Sequence, residues 1–158
     1  MENIKEKNLD LIDLKILKSL VANAKISTAD LAQSVGLSTS PCWQRIRRLE
    51  ADGYITGYTA KLDQYKLGAT DIVFVEVSLE RHNQDALNNF GRIIRELDEV
   101  LEVFLTSGEH DYLLKVAING TRGYEKFLTN TLSKIPGIRQ TRSSFALRCL
   151  KNKDVFIP

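Results

Sequence analysis

Apolar residues in the first third of the chain recur at helical spacing. Leu9, Ile12, Ile16 and Leu20 form one stripe, widened by Leu17, while Asp10, Asp13, Lys15 and Lys18 fall mostly outside it. This predicts a helix ending near Ala22 and Asn23. Ser27-Thr28-Ala29-Asp30 has the form of a capping box with Asp in place of Glu. Ser27 is therefore the expected N-cap of a second helix with Leu31, Ala32 and Val35 on its inner face. Gly36 can take the left-handed conformation that closes it. A third helix is expected from Ser38 to Asp52, capped by Ser38 or Ser40, with Pro41 in its first turn and Gly53 as its stop. Three short helices with a tight turn between the last two make a helix-turn-helix pattern.

The period changes after Gly53. Tyr54 to Leu62 is β-rich and predicts a connecting strand, followed by a loop from Asp63 to Gly68. From Asp71 onward strands are expected at Ile72 to Leu79, Val100 to Thr106, Asp111 to Ile118 and Ile138 to Leu150. Helices are expected at Asn83 to Leu97, with Leu87, Phe90, Ile94 and Leu97 inward, and at Thr121 to Lys134, with Tyr124, Phe127, Leu128 and Leu132 inward. The order βαββαβ is the ferredoxin-like plan, with both helices on one face of the sheet. The fold class is thus α+β: a three-helix unit of the winged helix-turn-helix type over residues 8–55, a β linker and loop over 56–68, and a ferredoxin-like domain over 69–152. The open face of such a sheet must be covered, commonly by a second copy of the chain.

Turning the third helix at ~100° per residue puts Cys42, Ile46 and Leu49 on an inward stripe. Ser40, Gln44, Arg47 and Arg48 fall on the opposite side, with Trp43 and Arg45 on the flanks. A buried stripe backed by hydroxyl, amide and guanidinium groups suits a helix that enters a DNA groove. Arg and Gln make bidentate contacts to base edges, and hydroxyls with N-terminal amides hold phosphates. Arg45, on its flank, suits a structural ion pair or a phosphate contact. The same three arginines could instead be a solvated face. Trp43 suits packing at the helix edge.

Charge sharpens this only a little. The chain carries 22 Lys+Arg against 20 Asp+Glu, a formal net charge of +2 over 158 residues. That slight excess argues against pure DNA packaging, which would favour a more basic chain. Apolar and charged fractions of 43% and 27% describe an ordinary globular protein rather than a disordered one. No apolar run reaches the ~18 residues of a membrane span, and Met1 to Lys7 lacks a signal-peptide pattern. Two cysteines, Cys42 and Cys149, lie far apart and fit a reducing, cytoplasmic setting. Cys42 on the inward stripe reads as a core residue, with a redox-sensing thiol as the alternative.

Ser107-Gly108-Glu109-His110-Asp111 contains the residue types of a hydrolytic triad. Five consecutive residues cannot readily fold back to give both triad hydrogen bonds, and no nucleophile elbow occurs elsewhere. A polar turn between two strands is the simpler reading. His82 and His110 are the only histidines and have no metal spacing with the cysteines. Phosphate-binding glycine loops are absent, so no cofactor is expected.

Several stretches together resemble the Lrp/AsnC family of transcription regulators, the leucine- and asparagine-responsive or feast/famine proteins. They are Leu9-Asp10-Leu11-Ile12-Asp13-Leu14-Lys15-Ile16-Leu17, Ile26-Ser27-Thr28-Ala29-Asp30-Leu31-Ala32, and the run from Val35 to Glu50 followed by Gly53-Tyr54-Ile55. The second domain adds Gly108-Glu109-His110-Asp111-Tyr112 and Pro136-Gly137-Ile138-Arg139-Gln140-Thr141-Arg142-Ser143. The resemblance covers Leu9 to about Lys151. His110 departs from it, standing where Tyr or Phe is usual, and Lys25 stands where Arg is frequent.

The resemblance implies a DNA-binding regulator in which Ser38, Thr39, Ser40, Gln44, Arg45, Arg47 and Arg48 meet double-stranded DNA. It implies a homodimer, assembling further to a tetramer or octamer, in the prokaryotic cytoplasm at the nucleoid. It also implies a small amino-acid effector between subunits, held by Gly108, Glu109, His110, Asp111, Thr141 and Ser143. Asp111 would accept the ammonium, and the amides near Gly108 with the hydroxyls of Thr141 and Ser143 would donate to the carboxylate. Two other classes remain: an amino-acid-related enzyme on the ferredoxin-like domain, and an architectural DNA-binding protein without effector.

Overall fold

Helix α1 (Leu11–Ala22) begins at Asp10 with a reciprocal cap. Asp13 N–H donates to the Asp10 carboxylate at 2.8 Å, and Asp10 N–H donates to the Asp13 carboxylate at 3.1 Å. The computed structural model describes residues 9–69, 71–81, 83–153 and 155–158. The readings placed on Met1 to Lys7, on the domain start at residue 8 and on His82 lie outside the described residues. Two units form, one running to Lys61 and taking in Asn152–Pro158, the other spanning Leu62–Lys151.

In the first unit, α2 (Thr28–Val35) starts at Ser27, whose hydroxyl accepts from Asp30 N–H at 3.1 Å. The return arm of the expected box differs: the Ser27 hydroxyl donates to the Asp30 carboxylate at 2.6 Å. Gly36, at φ 74°, ends the helix in the left-handed conformation that a side chain would resist. Helix α3 (Thr39–Ala51) follows at once from Ser38. Ile16, Leu31, Ala32, Val35, Cys42 and Leu49 form the buried core, with Ile12, Leu17, Leu20 and Ile46 packed against it. Each large aliphatic side chain sealed there contributes about 1.5–3 kcal/mol. Asp13 breaks the expected pattern: it falls mostly outside the apolar stripe of α1, yet it is 1% exposed.

The expected strand over Tyr54 to Leu62 pairs with no other strand among the described residues. Tyr54 and Ile55 instead donate both N–H groups to the Leu49 carbonyl, at 2.9 and 3.1 Å. This turns the chain out of α3 and lays Ile55 on the helical core. A strand needs a ladder partner, and the described residues supply none here.

The second unit is built on β1 (Asp71–Leu79), β2 (Val100–Leu105), β3 (Tyr112–Ile118) and β4 (Ile138–Phe145), antiparallel throughout in the order β2-β3-β1-β4. Helix α4 (Gln84–Arg95) and α5 (Gly120–Lys126) connect them. Val73, Val75 and Val77 of β1 and Leu114 and Val116 of β3 meet Phe90, Ile94, Phe127 and Leu132 from the helices. The expected single helix to Lys134 changes pitch: α5 runs into a π-helical turn (Phe127–Thr131) and a 3-10 turn (Leu132–Lys134). The Thr129 and Ser133 hydroxyls donate to the carbonyls four residues back, a competition that loosens regular helix. β4 stops at Phe145 rather than Leu150. Its partner β1 begins at Asp71, and Ala146 N–H already donates to the Ile72 carbonyl at 2.8 Å.

Candidate functional site

Ser38, Thr39, Ser40, Gln44 and Arg47 are exposed at the start and along one side of α3. Ser38 occupies the N-cap position without a side-chain capping bond, and the first turn carries no acidic residue. The positive end of the helix is therefore unopposed within its own first turn. Behind this face Cys42 and Leu49 are fully buried, which fixes the helix about its axis. The Arg47 guanidinium lies 5.2 Å above the Trp43 ring, and its Nη1 is 3.3 Å from Glu50 Oε2. Glu50 also accepts from the Tyr58 hydroxyl at 3.0 Å. Burial and the neighbouring Glu50 raise the Tyr58 pKa.

Arg45 and Arg48 turn to α1 instead. Arg45 Nη1 donates to Asp10 Oδ2 at 2.6 Å and to Asp13 Oδ1 at 2.8 Å, and Arg48 Nη2 donates to Asp13 Oδ2 at 2.5 Å. The Asp13 carboxylate is thus a buried anion that two guanidinium groups and the Asp10 amide satisfy. Hydrogen bonds from the Asp13 amide and from Arg45 hold the Asp10 carboxyl below its usual range, and the same pairing raises the Arg45 pKa. Side-chain exposure is 26% for Arg45, 50% for Arg48 and 64% for Arg47. The flank position of Arg45 on α3 suits this ion pair. For Arg48 the partner was invisible, because Asp13 lies 35 residues earlier. Burial raises the Cys42 thiol pKa, which opposes thiolate chemistry there.

In the second unit the turn before β3 is tied down from several sides. Asp111 N–H donates to the Val77 carbonyl at 2.9 Å, and Asp111 Oδ2 accepts from Leu79 N–H at 2.7 Å, beside the irregularity at Ser78 and Leu79. The Thr106 hydroxyl donates to the His110 carbonyl. The His110 ring is mostly buried, with Nδ1 3.0 Å from Ser78 Oγ. Its Nε2 sits 3.3 Å from Glu76 Oε2 in a geometry that makes no hydrogen bond. Gly108 and Glu109 are exposed.

Thr141 and Ser143 stand opposite Val77 and Val75, on the helix-covered side of the sheet, where the Tyr124 hydroxyl bonds Ser143 Oγ. Tyr124, read as core, also meets Phe145 edge-on at 5.3 Å. Glu76, beside His110, alternates with these valines and belongs to the other face. One chain therefore does not bring the whole expected effector set into one pocket. Two surface cavities of this unit contain none of these residues. One, of about 490 Å³, includes Leu87, Arg95 and Tyr112; the other, of about 540 Å³, includes Asn119, Lys126 and Asn130. Ser78, Glu76 and Tyr124 are the neighbours that sequence reasoning missed. Alternation along β1 was the available signal for Glu76 and Ser78, and the inward spacing of Tyr124 gave its side but not its bond to Ser143.

Among the described residues, no cluster of three or more His, Cys, Asp or Glu could hold a metal, and no helix is long and apolar enough to cross a membrane.

Comparison with known proteins agrees with this division. A winged helix-turn-helix DNA-binding profile matches residues 9–56, and the Lrp/AsnC ligand binding domain matches residues 72–156. The chain is 46% identical over 140 residues to the Bkd operon transcriptional regulator of Pseudomonas aeruginosa, covering 89% of this chain and 92% of that one. It is 40% identical over 148 residues to the leucine-responsive regulatory protein of Escherichia coli K12, covering 94% and 90%. The crystal structure of a Neisseria meningitidis transcriptional regulator in complex with L-methionine superposes with a TM-score of 0.89 at 33% identity, covering 93% and 95%. A helix-turn-helix unit ahead of a β2-β3-β1-β4 sheet, matched along nearly its whole length, makes this chain a member of the Lrp/AsnC family of transcription regulators.

Proposed function

We propose that the chain regulates transcription as a homodimer, assembling further to a tetramer or octamer, and that an amino acid bound between subunits changes how it engages DNA. The observation that carries the DNA half is the exposed row Ser40, Gln44 and Arg47 on a helix locked from behind by Cys42 and Leu49. Gln44 and Arg47 reach base edges, while Ser38, Thr39, Ser40 and the first amides of α3 hold phosphates. Two such helices in a dimer, ~34 Å apart, meet successive major grooves. Arg45 and Arg48 hold α3 against α1.

Dimerisation finds support in the helix-free face of the sheet, where Phe74 and Phe104 are exposed. The effector site would combine Gly108, Glu109, His110 and Asp111 with Thr141 and Ser143 at the subunit boundary, since one chain keeps the two groups on different faces. Ser143, already accepting from Tyr124, has its own proton to donate to a carboxylate. L-Methionine, found on the Neisseria relative, is the first ligand to test. A cytoplasmic protein at the nucleoid, acting as a regulator rather than an enzyme, is the reading that the relatives' regulator names support.

The test is fluorescence anisotropy with a duplex selected by the protein from random sequence. Arg47→Ala should weaken binding by ~1–3 kcal/mol and leave the mass of the assembly unchanged. Equal affinity of variant and parent would remove Arg47 from the interface.

A further inference from the structure

The three guanidinium groups of α3 face three carboxylates: Asp10 and Asp13 on α1 and Glu50 on α3 itself. Their partners are unequal. Arg47 is paired only within its own helix, at 3.3 Å, and is the most exposed of the three. Arg45 and Arg48 share a carboxylate that is 1% exposed, at 2.8 and 2.5 Å, and Asp10 adds a second anion to Arg45 at 2.6 Å. A buried carboxylate that loses a guanidinium partner is left uncompensated in a poorly solvated place, so these pairs resist exchange for an outside phosphate. A half-exposed arginine beside the DNA-reading face would otherwise bind phosphate on any sequence.

We propose that Asp13 is a specificity-determining residue: it withholds Arg45 and Arg48 from the phosphate backbone and so keeps sequence-independent affinity low. Asp10 assists at Arg45. This rests on α3 being the helix that meets DNA. Each phosphate contact contributes about −0.9 to the slope of log K against log [salt]. The number of guanidinium groups on phosphate can therefore be read directly, apart from stability.

The experiment measures anisotropy of the full-length protein with a random-sequence 30-base-pair duplex and with a selected duplex, from 50 to 200 mM salt. Asp13→Asn should steepen the random-duplex slope by about 0.9 to 1.8, one or two added contacts. Over that fourfold salt range each added contact is worth about 3.5-fold in affinity. The preference for the selected duplex should shrink accordingly. Asp13→Glu, which keeps the anion, should restore the parent slope. Asp10→Asn preserves a good helix cap and removes one of Arg45's two anions while Asp13 keeps the other, so even if Asp13→Asn folds poorly it should steepen the slope measurably, by at most about 0.9.

Arg48→Gln should leave the parent slope alone, because that guanidinium is not on phosphate. Unchanged slopes in both the Asp10 and Asp13 variants, or a shallower slope in Arg48→Gln, would overturn the proposal. Arg47→Gln separates this from failure of the DNA reading. A roughly 5- to 150-fold loss of affinity for the selected duplex with silent Asp variants removes only the role of Asp13, whereas unchanged affinity of the Arg47 variant for that duplex removes the reading of α3 on which the proposal rests.

Discussion

Asp111→Ala and Asp111→Asn should cost different amounts, because the carboxylate is already engaged inside the chain. Asp111 Oδ2 accepts from Leu79 N–H at 2.7 Å, across the irregularity where β1 loses register with β4. A hydrogen bond to a charged acceptor in a half-buried place contributes about 1.5–3 kcal/mol. Alanine removes all of it and takes this acceptor away from the amide of Leu79, a buried residue. Asparagine keeps an oxygen at the same reach, and a neutral bond still contributes about 0.5–1.5 kcal/mol. For a unit running from Leu62 to Lys151, 1 kcal/mol corresponds to roughly 4–8 °C in melting temperature. Alanine should therefore lower the ligand-free melting of this unit by on the order of 10 °C, and asparagine by about half as much.

Repeating the melts with L-methionine separates anchoring from ligand capture. At 100 times its Kd a ligand adds about 2.7 kcal/mol to the folded state. If Asp111 also takes the ligand's ammonium, asparagine abolishes the methionine-induced rise while keeping most of the ligand-free stability. An alanine variant melting within about 2 °C of the parent would refute the anchoring argument. An asparagine variant with the full methionine response would refute the ammonium contact.

Other outcomes follow from the helical unit. Thiol labelling should modify Cys149, which is exposed, at once, and fully buried Cys42 only as fast as the unit opens; equal rates would show that Cys42 is not in the core. The Asp10 carboxyl is held below its ordinary 3.8, so its contribution to stability is complete above that pH and is lost as pH falls through the lowered value. Melting followed by Trp43 fluorescence should thus decline more steeply below pH 3.8 in the parent than in Asp10→Asn, and parallel curves would discount the pairing. Ile16→Ala, at a fully buried position of α1, should cost about 2–5 kcal/mol in the same assay. A smaller loss would mean that the helices repack around the gap.

The elements that bury a regular face were legible from the sequence. The stripes Leu31, Ala32, Val35 and Cys42, Leu49 fell inward as spaced, and the alternation of Val73, Val75 and Val77 gave the sheet its core side. What failed has a common physical form. The strand expected at Tyr54 to Leu62 has the composition of a strand, but ladder formation depends on a neighbour that composition does not supply. The end of β4 is set by where β1 begins rather than by its own residues. The pitch change after Lys126 comes from the Thr129 and Ser133 hydroxyls competing with the backbone, which an apolar pattern ignores. In the candidate sites, periodicity assigned faces correctly for Ser40, Gln44 and Arg47. It could not show that the long side chains of Arg45 and Arg48 reach back to carboxylates more than thirty residues earlier.

That pairing changes what the arginine cluster means. As a sequence, three arginines in four positions look like an electrostatic handle for any phosphate chain. As a structure, their charge is matched by Asp10, Asp13 and Glu50, and the whole protein carries only +2. A surface so balanced gains little from long-range attraction, since steering depends on an unbalanced field. Affinity must then come from short-range contacts, which discriminate between sequences in a way that counterion release does not. Such an economy of charge suits a protein that finds particular operators among abundant competing DNA, and it is the opposite of what coating DNA indiscriminately would require.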